Sequence, residues 1–261
     1  MHTCNFGLCR NISKGQLVFF SSVDVPLACS HRVNGLGPRP WLPAGTLLVG
    51  KAGEELFRVV QNTALPVPGA LHAVKGFWAE ALVDMEEADS LAFSAARKGL
   101  SIAWVTLSDK GAAGDRVDES GPLIERLVRE SLDVGHAQGF ILPDSIAELK
   151  QTVMELALGQ GYDVILTTGG TGVGPRDTTP EAIMGILEKR LYGFEQAMMT
   201  ASLAKTHNAV ISRAVSGTLG GCLIITLPGS RKAVAENLEA VLPAVAHAVA
   251  KLQGDSADCG S

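Results

Sequence analysis

Beyond Gly99, unbroken apolar runs of strand length alternate with stretches whose apolar residues recur at helical spacing. "SIAWVTLS" (Ser101–Ser108), "AQGFIL", "YDVILTT" and "CLIITL" read as strands. Between them, "GPLIERLVRESL" sets Leu123, Ile124, Leu127, Val128 and Leu132 on one helical face, with Pro122 near the first helical position. "SIAELKQTVMELALG" repeats the pattern with Ile146, Leu149, Val153 and Leu156 and stops at Gly159. Further helices are expected from near Thr179 and Gly193. A last one opens at Ser230 and should kink or break at Pro243. Strands alternating with helices predict an α/β domain, a mostly parallel sheet with helices on both faces.

The chain before Gly99 has another character. From about Gly15 to Leu82, runs such as "GQLVFFSS", "GTLLVGKAG" and "ELFRVVQN" are strand-length and bounded by turn residues, including "PRPWLP" at Pro38–Pro43. They predict a small, mostly-β module over 1–95. "FWAEALVDMEEADSLAFSAARKG" (Phe77–Gly99) is helix-compatible but ends in small and polar residues, which places a linker at about 88–98. The α/β domain then covers 99–253, and 254–261 reads as a flexible tail.

Composition narrows the function. Of 261 residues, 46% are hydrophobic and 19% charged, an ordinary globular balance. The net charge of −5 excludes the basic footprint of a general nucleic-acid binder. Five cysteines, an odd number, argue against a disulfide framework and for a reducing compartment. His2, Cys4, Cys9, Cys29 and His31 lie near the N-terminus, but their spacing matches no zinc pattern. No apolar run approaches membrane length, so a cytoplasmic protein is expected.

Every unusual loop of the second half follows a strand: "SDKGAAGDRVDESGP", "PDS", "TTGGTGVGPRDTTPEA" and "PGSRK". In an open parallel sheet that edge binds ligands. The glycine-rich loop lacks the Lys-Ser/Thr ending of a Walker A loop and runs into Pro175 rather than a helix. Two roles stay open for it: a tight turn, or a concavity of glycine N–H groups that takes an anion. Asp144 could cap the next helix, but Ser145-Ile-Ala-Glu148 is itself a capping box; Thr178 or Thr179 could likewise spare Asp177. Both aspartates therefore read as surplus to structure and suited to Mg²⁺, which arrives with a nucleotide. If Ser230 caps the last helix, Arg231 and Lys232 sit in its first turn, either solvated or facing a bound anion. Arg176, Lys110 and Arg116 share the rim.

These four motifs, in order and spacing, resemble the molybdopterin adenylyltransferase (Mog-type) family over about Ser101–Lys251. The resemblance implies adenylation of the terminal phosphate of molybdopterin by Mg²⁺-ATP, with release of pyrophosphate. It implies Asp144 and Asp177 as the essential carboxylates and Mg²⁺ ligands. It also implies substrate contacts from Ser108, Asp109, Asp118, Ser120 and Gly121, from Gly169, Gly170, Thr171 and Gly172, and from Pro228, Gly229 and Ser230; the rim cations Arg176 and Lys232 are expected to join them. A homotrimer and a molybdate-insertion partner protein are implied as well. One departure is Ser145, where members often carry a second acidic residue. The alternative is a module that binds molybdopterin or the molybdenum cofactor without adenylating it, or a molybdate-insertion-type protein; a third reading gives the N-terminal module the defining role.

Overall fold

A computed structural model describes residues 4–8, 11–23, 25, 30–34, 41–67, 71–86 and 88–255. The chain divides into two compact units, 1–98 and 99–261.

The first unit is a closed barrel. Its strands are β1 (Cys4–Leu8), β2 (Leu17–Ser21), β3 (Ser30–Asn34), β4 (Leu47–Gly50), β5 (Glu55–Leu65), β6 (Val74–Ala81) and β7 (Ala88–Ala96), paired in the order β1-β3-β2-β6-β5-β4-β7. Alternate residues point inward, and Phe20, Phe57, Phe77 and Phe93 fill the interior. The Phe20 ring centroid lies 5.0 Å from that of Phe57, edge-on, and 5.6 Å from that of Phe77. His31 is buried beside Phe20; His2, Cys9 and Cys29 lie outside the described residues.

The mostly-β expectation holds, but two details change. Residues 88–96 are neither helix nor linker. They form β7, hydrogen-bonded to both β1 and β4, and the division falls between Lys98 and Gly99. Pairing on both sides overrides the weak strand preference of its alanines and serines.

The second unit runs β8 (Leu100–Leu107), α1 (Asp109–Ala112), α2 (Ser120–Ser131), β9 (Val134–Leu142), α3 (Ile146–Met154), β10 (Val164–Thr168), α4 (Thr179–Met184), β11 (Lys189–Arg190), α5 (Tyr192–Leu203), β12 (Ser216–Leu219), β13 (Cys222–Leu227) and α6 (Arg231–Leu252). A π turn, Glu155–Gly159, extends α3. The sheet order is β11-β12-β13-β10-β8-β9; β13, β10, β8 and β9 are mutually parallel. All residues of β10 and β13 are buried, as strands covered on both faces require. On one face, Ile102, Trp104, Val164, Leu166, Leu223 and Ile225 meet Leu123, Ile124 and Val128 of α2 and Val234, Leu238, Val241 and Val245 of α6. Each such side chain contributes about 1.5–3 kcal/mol by leaving water. Strand alternation turns Ala103, Ile165 and Ile224 to the other face, left to α3 and α4, which pack on each other with Leu149, Val153 and Ile183 buried.

Two expectations are corrected in this unit. α6 continues unbroken through Pro243, held by buried residues on both sides of it, Val241, Leu242, Val245 and Val249. The same helix is long and apolar enough, by length and composition, to cross a membrane, although its apolar side packs in the core. The antiparallel hairpin of β12 and β13, with β11 beside it, adds to the expected strands.

Candidate functional site

Because β8, β9, β10 and β13 are parallel neighbours, the four unusual loops emerge on one edge of the sheet. β8 is followed in sequence by β9 on one side and then by β10 on the other, so crossovers diverge between β8 and β10. That is where an α/β sheet opens a crevice. A cavity of about 280 Å³ lies there, between Thr106–Ser108, Arg116–Ser120, Ile141, Thr168–Gly169 and Gly229–Arg231.

The glycine-rich loop is shaped by close approaches within the protein. Gly169 has φ +103° and Gly170 φ +64°, a region that side chains avoid. A Cβ on Gly169 would stand 2.8 Å from the Leu107 carbonyl oxygen, and one on Gly170 would stand 2.5 Å from the Thr179 hydroxyl. Thr179 Oγ1 donates to the Gly169 carbonyl at 2.8 Å, so its hydroxyl ties the loop and does not cap α4. Thr178, at the cap position, makes no side-chain cap bond either.

Asp177 is accordingly not surplus. Its Oδ2 accepts from the Gly174 N–H at 2.8 Å and closes the loop. Asp144 is as expected: Ser145 caps α3, its Oγ accepting from the Glu148 N–H, and leaves the aspartate free of that task. Asp144 Oδ2 accepts from Arg176 Nη2 at 3.2 Å, while Arg176 Nη1 lies 2.7 Å from Asp109 Oδ2. Asp109 Oδ1 accepts from the Asp144 N–H at 2.9 Å. Burial holds the Asp144 carboxyl above its ordinary range; the charge of Asp109 adds to this, Arg176 opposes it, and Asp177 adds again. Three carboxylates thus crowd one stretch of rim, and the exposed Arg176 guanidinium pairs with two of them.

This donor set fits Mg²⁺. Among the described residues no group of three or more His, Cys, Asp or Glu stands ready to hold a metal by itself. Mg²⁺ asks less, one or two carboxylates with phosphate and water completing the shell. Asp144 and Asp177 can supply those carboxylates, each also giving its Oδ2 to a protein donor.

The remaining site residues divide. Ser108, Asp118, Ser120, Gly169, Gly229 and Ser230 line the cavity. Asp118 does so as a fastening: Oδ1 accepts from the N–H groups of Ser120 and Gly121, and Oδ2 from Thr106 Oγ1 at 2.8 Å. Gly121 stands behind it, where a Cβ would meet Trp104 Nε1 at 2.5 Å. Pro228 contributes its carbonyl to Thr168 Oγ1 at 2.7 Å. Ser230 caps α6 as expected, accepting from the Ala233 N–H at 3.2 Å. Asp109, Asp144, Gly170, Thr171, Gly172, Arg176 and Asp177 lie outside the cavity lining. Lys232 also lies outside it and faces Glu236 one turn on, at 3.9 Å. Arg231 takes the cavity position instead, because one helical residue turns the side chain by about 100°. Neither Arg231 nor Arg116 has an ion-pair partner among the described residues, whereas Arg126, Arg129, Arg176, Arg190 and Arg213 all do.

Residues 103–247 match the family described as "Probable molybdopterin binding domain". Over 154 residues, 56% of this chain, the sequence is 42% identical to gephyrin from Dictyostelium discoideum, of whose length the match spans only 21%. Over 143 residues, 54% of the chain, it is 36% identical to the molybdopterin adenylyltransferase of Haemophilus influenzae and spans 73% of that protein. Among solved structures, the molybdopterin biosynthesis enzyme MoaB of Thermus thermophilus superposes with a TM-score of 0.56 at 38% identity, covering 60% of this chain and 98% of that one.

Proposed function

Since this chain belongs to the molybdopterin-binding family over residues 103–247, we propose that it adenylates molybdopterin with Mg²⁺-ATP. The observation that carries the reading is the division of one rim into two neighbouring parts. A cavity with two guanidiniums that have no ion-pair partner among the described residues, Arg116 and Arg231, adjoins a carboxylate group formed by Asp109, Asp144 and Asp177. The first part suits a heterocycle with a terminal phosphate, and the second suits the metal-bound triphosphate of a nucleotide.

The chemistry asks for little beyond position and charge. An oxygen of the molybdopterin phosphate bonds to the α-phosphorus of ATP. The bond from that phosphorus to the oxygen bridging to the β-phosphate breaks, and its electron pair leaves with pyrophosphate. The attacking phosphate is already ionised at neutral pH, so no general base is needed. Arg116 and Arg231 orient it, and the α6 N-terminus adds its partial positive charge. Asp144 and Asp177 would hold Mg²⁺, which supplies neutralisation of the triphosphate. Ser145, occupied as a helix cap, takes no part; Asp109 furnishes additional negative charge at the same place.

The test combines metal-free molybdopterin, ATP and Mg²⁺ with the full chain. Pyrophosphate and an AMP-linked pterin are expected. Pterin binding by folded protein without pyrophosphate release would identify a binding module.

A further inference from the structure

We propose that Arg213 is the positioning residue for Asp177, a single guanidinium that clamps both ends of the loop carrying this aspartate. Its consequence for turnover rests on the adenylation reading above; its geometry does not. Arg213 Nε donates to the Gly172 carbonyl at 2.7 Å, Nη2 donates to the Asp177 carbonyl, and Nη1 pairs with Glu181 of α4. Its own N–H donates to the Thr171 carbonyl at 2.9 Å. The bonds within the loop, Gly174 N–H to Asp177 Oδ2 and Asp177 N–H to the Gly174 carbonyl, shape the turn. They leave open where that turn sits, and Arg213 supplies the missing reference.

The base of the clamp is rigid. Arg213 lies two residues before Val215, whose N–H donates to the hydroxyl of Thr226 on β13 at 2.7 Å and whose carbonyl accepts from the Thr226 N–H at 2.9 Å. Thr226 is fully buried in the sheet. The path from β13 through Val215 to the guanidinium therefore fixes Asp177 relative to the sheet that also delivers Asp144. Glu181 orients the guanidinium from the opposite side, and the same hydrogen bond holds the Glu181 carboxyl below its usual range. A planar fork with donors in three directions meets three oxygens at once; a lysine ammonium on a flexible stem does not.

The test compares Arg213→Ala, Arg213→Lys and Glu181→Gln with the natural chain. In Arg213→Ala, the Gly174 and Asp177 amides should exchange with solvent faster while those of β10 and β13 keep their rates. Turnover should fall roughly a hundredfold, the scale of an ångström's misplacement, with KM for molybdopterin unchanged. Guanidinium ion in the millimolar range should restore part of that rate. Glu181→Gln leaves both carbonyl bonds and should stay close to the natural rate. Arg213→Lys keeps the charge opposite Glu181, serves if the alanine variant does not fold, and should share its exchange and turnover defects. Unchanged exchange at Gly174 and Asp177, a uniform rise across the whole domain, or equal losses in Glu181→Gln and Arg213→Ala would each overturn the clamp. If the natural chain proves unable to adenylate, localised faster exchange still supports the clamp, and only the functional reading fails.

Discussion

Arg176 reaches back 32 residues from the glycine-rich loop to Asp144 and meets its Oδ2 at 3.2 Å. The same guanidinium serves Asp109, so one cation answers two carboxylates while Asp177 stands near enough to raise the Asp144 carboxyl further. The Arg176 side chain is 72% exposed and that of Asp144 only 17%. Water screens the cation more than the anion it faces, so the pair offsets little of the crowding. On the adenylation reading, that negative charge is what a divalent cation would neutralise.

Asp144→Asn and Asp177→Asn should each lower adenylation by at least about a hundredfold, the effect of removing one electrostatic stabiliser. Molybdopterin affinity should largely survive, since the cavity is built by other residues. In Asp177→Asn the amide oxygen can still accept from Gly174, so melting should shift by less than the ~1 kcal/mol typical of a lost cap. Turnover assays, pterin titration and thermal melts on both variants check this; full activity in both would remove the assigned roles.

The Asp144 carboxyl also sets a pH dependence. Its folded value lies above the ordinary 3.8, so the folded protein holds this proton more tightly than the unfolded chain does. The associated stability is complete below that ordinary value and is lost as pH rises through the folded one. Without divalent cations, Asp144→Asn should therefore be at least as stable as the natural chain at neutral pH. Any advantage should shrink as the solution is acidified towards 3.8. Urea titrations across that range, repeated with Mg²⁺, measure it; Mg²⁺ should stabilise the natural chain and not the variant.

A fragment beginning at Gly99 should fold cooperatively and keep adenylation activity. The four loops lie beyond that residue, and the described core around Ile102, Ile124, Val164, Ile225 and Val241 is built from residues 100–249. Denaturant unfolding and the pyrophosphate assay on 99–255 decide it. A folded but inactive fragment would mean that the first unit completes the site.

The α/β half was legible because its elements announce themselves locally. Leu123, Ile124 and Val128 fall on one helical face and are buried there, and "VILTT" opens on three apolar residues and is buried throughout. The rim was legible for the same reason, since strand direction alone sends four loops to one edge. What escaped were features decided by distant pairing. Ala88–Ala96 becomes a strand only through neighbours on both sides. Arg213 carries no motif, since two of its guanidinium partners are backbone carbonyls 36 and 41 residues away, which no side-chain pattern encodes. Asp177 looked unemployed because the bond it makes, to a glycine N–H, leaves no mark in residue types.

The barrel of the first unit closes on itself through the pairing of β1 with β7. Among the described residues each strand of this closed sheet has a neighbour on both sides, so none is left as a full edge strand for an incoming peptide to extend. Its outward-facing side chains can therefore be changed by surface substitution without any alteration of strand register.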